Sequence, residues 1–134
     1  MKSYSRFIEI SDRLTAIRLA QWVRGRQITF ISPVDCAALM GFPWWNAIVS
    51  GLDVASVLDC GDSANLAATS LRGGQQGVVF QGNAAQRAAL TALAQTCGAE
   101  ILSDRPAALT LKPEFPEHYQ QHLLSEYLDH GAAE

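Results

Sequence analysis

Four short apolar runs, rich in branched side chains, punctuate the chain at Ile28-Thr29-Phe30-Ile31, Val54 to Leu58, Val78-Val79-Phe80 and Ile101-Leu102. None of them alternates with polar residues, the pattern expected of strands covered on both faces. Each of the first three leads into a polar or glycine-containing loop and then a helix-forming stretch. Successive runs begin roughly 20 to 27 residues apart, enough for a crossover helix with short loops, so the strands are predicted to be parallel.

The intervening segments carry helix start and stop signals. Pro43 suits the first turn of a helix through Trp44, Trp45, Ala47, Ile48 and Val49, and Val34 to Met40 reads as a separate turn. Asp62 or Ser63 can cap a helix running to Gly73-Gly74, and Asn83 can cap one with a stripe of Ala85, Ala89, Leu90 and Leu93 that stops at Gly98. Ser11-Asp12 can cap an N-terminal helix with Leu14, Ile17, Ala20 and Val23 at helical spacing. Pro113 and Pro116 precede a last helix with Tyr119, Leu123, Leu124, Tyr127 and Leu128 on one side, ending at Gly131. Ala108 to Leu111 adds a candidate edge strand. The expected architecture is a single α/β domain over residues 1–134: a basic helical segment at 1–26, a βα core at 27–112 and an acidic helix at 113–134. Its layers are a mainly parallel sheet of four or five strands with helices on both faces, a three-layer arrangement of Rossmann-like or flavodoxin-like kind.

Composition narrows the class. At 134 residues with 49% hydrophobic side chains, the chain can bury a core without disulfides or a structural metal. No apolar run approaches the ~18 residues needed to span a bilayer, and Lys2, Arg6, Glu9, Asp12 and Arg13 break up any signal-peptide core. Cys36, Cys60 and Cys97 are odd in number and form no C-x-x-C pair, which fits reduced thiols and a cytoplasmic location. The nucleotide-binding and hydrolase motifs with recognisable spacing are absent.

Charge is unevenly distributed. Residues 1–26 hold six basic side chains against two acidic, whereas residues 113–134 hold five acidic and no Lys or Arg. The two ends are expected to lie against each other, or against the opposite end of a second copy. Tyr4, Phe7 and Trp22 among the N-terminal arginines hint at nucleic acid, but a pI near 5.5 argues against that partner.

Ligands of parallel sheets ordinarily bind beyond the carboxyl ends of the strands. The loops expected there supply Asp35, Asp59, Asp62, Ser63, Gln81, Asn83, Asp104 and Arg105. Oxygen-rich residues of this kind suit a divalent cation or a polyhydroxylated or amine ligand, although capping duties account for Asp62, Ser63 and Asn83, a helix first turn for Asp35 and a turn for Asp104-Arg105. Asp59, directly after Val57-Leu58, has no capping duty and is the best catalytic candidate. The length is similar to that of a receiver-type phosphoryl-transfer domain, a resemblance that implies paired acids after the first strand and a lysine after a late one. Ile31-Ser32-Pro33 and Ser103-Asp104-Arg105 supply neither.

Competing chemistries are weaker. Cys60 follows a strand and Cys36 lies near a predicted helix start, yet His118, His122 and His130, the available bases, all fall in the C-terminal segment. His118, His122 and Glu126 share a helix face at metal-ligand spacing that is common by chance. Adjacent Trp44 and Trp45 point about 100° apart on a helix, so one sheet-facing stripe does not bury both. At least one of them is therefore expected to meet the terminal helices, a ligand or another subunit, and Trp44 or Trp45, with the amphipathic terminal helices, is the expected contact of a homo-oligomer interface. The functional expectation is a self-associating, non-catalytic interaction or regulatory domain. The alternative is a small-molecule or divalent-cation enzyme at the aspartate-rich rim.

Overall fold

A computed structural model describes residues 6–130. It contains β1 (Arg6–Glu9), α1 (Arg13–Trp22), β2 (Ile28–Ile31), α2 (Cys36–Leu39), α3 (Phe42–Val49), β3 (Ala55–Asp59), α4 (Ala64–Arg72), β4 (Gly77–Val79), α5 (Ala84–Cys97), β5 (Glu100–Leu102), β6 (Leu109–Thr110) and α6 (Glu117–His130). The six strands form one all-parallel sheet in the order β5-β4-β3-β2-β1-β6. The chain is an α/β protein on a parallel sheet, as the unalternated apolar runs predict.

From β1 to β5 the chain steps one strand at a time in one direction. Right-handed crossovers taken in one direction place their helices on the same face of a sheet. Accordingly, the larger apolar cluster unites Ile8, Phe30, Leu58 and Val78 with residues from every helix, including Leu19, Trp45, Leu71, Leu90 and Leu124. The side chains one position along each strand, Phe7, Ile31, Val57 and Val79, form a second cluster with Leu102 and Ala108 and no helical residue. The two faces are thus covered unequally: the second carries the segment 103–108, which leaves β5 at one edge and returns to β6 at the other.

Two features of the N-terminal segment correct the sequence reading. Residues 6–9, expected within a helical segment, are a strand inside the sheet, raising the count from four or five to six. Arg6 and Glu9 gave it the look of a charged helical turn, but both charges have partners: Arg6 Nη1 donates to the Tyr127 carbonyl at 2.9 Å, and Glu9 meets Arg105. The helix that follows is capped by Asp12 as expected, its side chain accepting from the Thr15 N–H at 3.0 Å. Its buried face, however, is Thr15, Ala16 and Leu19, leaving Leu14 and Ile17 exposed. Small Ala16 lets the helix approach the sheet closely, which large residues at 14 and 17 would prevent. In α5 likewise, Leu90 and Ala94 are buried, whereas Ala85 and Ala89 face outward.

The ends of the chain do meet, through α1 and α6. Arg18 Nη1 donates to Gln120 Oε1 at 2.8 Å, the fully buried Gln120 donates to the Lys112 carbonyl, and Tyr127 donates its hydroxyl to the Phe7 carbonyl at 2.9 Å. Among the described residues the contacts are hydrogen bonds and cation–π stacking of Arg6 on Tyr127. Gly131, the expected helix stop, lies outside the described residues.

Candidate functional site

The carboxyl ends of β1, β2 and β3 converge on one buried aspartate. Asp59 ends β3 on the sheet face crossed by segment 103–108, and its side chain is only 2% exposed. One carboxylate oxygen accepts from the Gly61 N–H at 2.9 Å and the other from Arg105 Nη1 at 2.9 Å. The second guanidinium nitrogen of Arg105 reaches Glu9 at the end of β1, at 2.7 Å. From β2, Ser32 Oγ accepts from the Asp59 N–H and donates to the Pro33 carbonyl. Asp59 therefore has fixed partners, among them a guanidinium from the crossing segment that it shares with Glu9.

Gly61 follows in a left-handed conformation, φ +57°, where a Cβ would meet the Asp35 carboxylate. Only glycine suits both demands. Asp35 itself adopts φ +57° at the start of α2 and makes no side-chain cap bond.

Other residues proposed for the rim are engaged elsewhere. Ser63 caps α4, accepting from the Leu66 N–H, and Asn83 forms a reciprocal capping box with Gln86 at the start of α5. Gln81, Asp62 and Asp104 are exposed. Arg105 has more than a turn role, since it joins Asp59 to Glu9. Glu9 is a site residue not expected from the sequence, because a charged segment at 6–9 resembles a helical turn; its place at a strand end was the signal available.

The thiols stand beside this cluster without nucleophilic character. Burial pushes the Cys36 thiol up to about 11, against a lowering hydrogen bond with Ser32, and pushes Cys60 up to about 12, against one with Ser70. Negative Asp59 raises both further. A catalytic thiolate needs the opposite environment. Among the described residues no group of three or more His, Cys, Asp or Glu side chains is placed to hold a metal ion. His122 and Glu126 lie 3.8 Å apart on the exposed face of α6.

The tryptophans pack largely inward. Trp45 is fully buried and Trp44 half-buried against the same core. Helix α3 has α1 and α2 beside it as well as β3, so indoles pointing in two directions both find this chain's interior. Two of the N-terminal arginines are similarly occupied: Arg13 donates to the Ile48 and Ser50 carbonyls at the end of α3, and Arg18 stacks on Trp22. Phe7 is buried in the sheet, while Tyr4 lies outside the described residues.

Fold and rim together define an α/β domain with a buried aspartate and a half-buried glutamate sharing one arginine at the carboxyl edge of a parallel sheet. Compared with known proteins, the chain matches no family model, no curated protein and no solved structure. Among the described residues no helix is long and apolar enough to cross a membrane.

Proposed function

We propose that this chain is a non-catalytic interaction domain that self-associates through the α2 segment. The observation that carries the reading is a group of large apolar side chains turned to solvent within seven residues: Val34 at 55%, Leu39 at 74% and Met40 at 52% exposure. Their neighbours Cys36 and Ala37 are buried, so the segment is anchored while its outer face is left uncovered. Apolar side chains, methionine among them, are what the desolvated centre of a protein interface favours. The non-catalytic part of the reading is supported by the rim chemistry, in which the buried acid is ion-paired and both buried thiols are held protonated. A second copy of the chain is the partner proposed, through a two-fold contact of α2 on α2.

Sedimentation velocity from low to high micromolar concentration tests this. The expected result is a reversible dimer that becomes monomeric on replacing Leu39 and Met40 by lysine, both exposed enough to leave the fold intact. A monomer throughout the range would overturn the proposal. The rival reading, an enzyme or binder for small molecules or divalent cations at the rim, draws support from the convergence of Glu9 and Asp59 on one cation. Thermal-shift screening with divalent cations, nucleotides and sugar phosphates separates the two, since a ligand at 100 times its Kd adds about 2.7 kcal/mol.

A further inference from the structure

A groove of about 370 Å³ opens at the opposite edge of the sheet, where α1 ends, β2 begins and the loop before β3 passes. Its lining is apolar on the floor and cationic at the lip. Val23 and Ile28 are buried at the base, and Ile17, Leu52 and Val54 are partly exposed along the walls. Arg24 and Arg26 stand at one side and Asp53 is the single carboxylate of the lining. Arg6, Arg13 and Arg18 all spend their guanidinium groups on internal contacts. Arg24 and Arg26 do not: both are exposed, and neither side chain has a partner among the described residues.

An unpaired arginine pair over a hydrocarbon floor is complementary to an amphipathic anion. The volume is within the range of small-molecule sites, and arginine is the side chain best suited to hold a carboxylate through two parallel hydrogen bonds. We infer that this groove is a binding site for the anion of an apolar acid, its hydrocarbon body against Ile17, Val23, Leu52 and Val54 and its carboxylate at Arg24 and Arg26. The site lies away from the Asp59 rim and from α2, so it is independent of the self-association proposed above.

Isothermal titration with octanoate, decanoate and decanol, all below their aggregation concentrations, tests the site on the intact chain. Decanoate is expected to bind saturably with one site per chain and more than tenfold tighter than octanoate, since each buried methylene contributes about fourfold. Decanol is expected to bind at least tenfold more weakly than decanoate. Replacing Arg24 and Arg26 by glutamate should weaken decanoate at least tenfold without changing the unfolding midpoint. Leu52→Trp, which fills the groove, should abolish binding while leaving the arginines in place. Absence of saturable decanoate binding, equal binding of decanol, or an affinity unchanged in either variant would each overturn the inference.

Discussion

Removing the Arg105 guanidinium should expose how much the ion cluster contributes to stability. In Arg105→Met, Asp59 keeps the Gly61 N–H but loses its ion-pairing partner among the described residues while its side chain stays 2% exposed. Breaking a buried pair from one side costs about 3 to 5 kcal/mol, because a charge is left without compensation. Arg105 is itself 18% exposed, which lets some water reach the site and puts the expected loss near the lower figure, about 3 kcal/mol. With a urea m-value of about 1.5 kcal/mol/M, the unfolding midpoint falls by about 2 M. Asp59→Asn removes the charge but keeps most of the shape, and in that background Arg105→Met should cost at least about 1.5 kcal/mol less than alone. Glu9→Gln should cost less than about 1 kcal/mol, since Glu9 is 24% exposed. Arg105→Lys should fall between wild type and Arg105→Met, because one ammonium cannot span both carboxylates. Additivity of the Asp59 and Arg105 substitutions within about 0.5 kcal/mol would refute the reasoning.

Other outcomes follow from the same structure. Trp45→Ala should cost about 3 to 5 kcal/mol by urea unfolding, but Trp45→Phe under about 2, because the buried indole N–H has no hydrogen-bond partner among the described residues to lose. Asn83→Ala should remove about 1 kcal/mol by breaking the capping box of α5. Gly61→Ala should destabilise by more than a surface glycine substitution, since it strains a left-handed backbone and pushes on Asp35. Cys36 and Cys60 have folded values above their ordinary one of about 9, so the unfolded chain ionises first. Their contribution is complete below pH 9 and is lost as pH rises toward 11 to 12. Wild type should therefore lose stability over that window more steeply than a Cys36→Ala, Cys60→Ala variant, and parallel curves would contradict it.

Much of the architecture was legible before the structure because it depends on local pattern. The runs at 28–31, 56–58 and 78–80 bury both faces and so lack alternation, the run at 101–102 is half-buried at the sheet edge, and Ser63, Asn83, Gly98 and Asp12 perform the capping and stopping their chemistry suggests. What escaped depended on distant partners. Glu9 and Arg6 look like solvated charges until Arg105 and Tyr127 arrive from the other end of the chain. The inward face of α1 was misjudged because Leu14 and Ile17 outrank Ala16 in hydrophobicity, whereas close approach to the sheet selected the smaller residue. At the candidate site Asp59 and Arg105 were named from sequence. Their pairing was not, because nothing local to either residue brings a segment after β5 back across β3.

The one-way order of the first five strands also bears on how the molecule is made. Each new strand from β2 to β5 docks beside the one synthesised just before it, so every step closes a short loop and is entropically cheap. The sixth strand instead returns to the first, Leu109 opposite Ile8, across most of the chain. Assembly on the ribosome can therefore proceed from the amino end with a partly built sheet whose second face is bare until the final crossing. The Arg105 contact cannot form before that crossing, so its appearance marks the covering of the second face, and the rate at which it forms should set the slowest phase of folding.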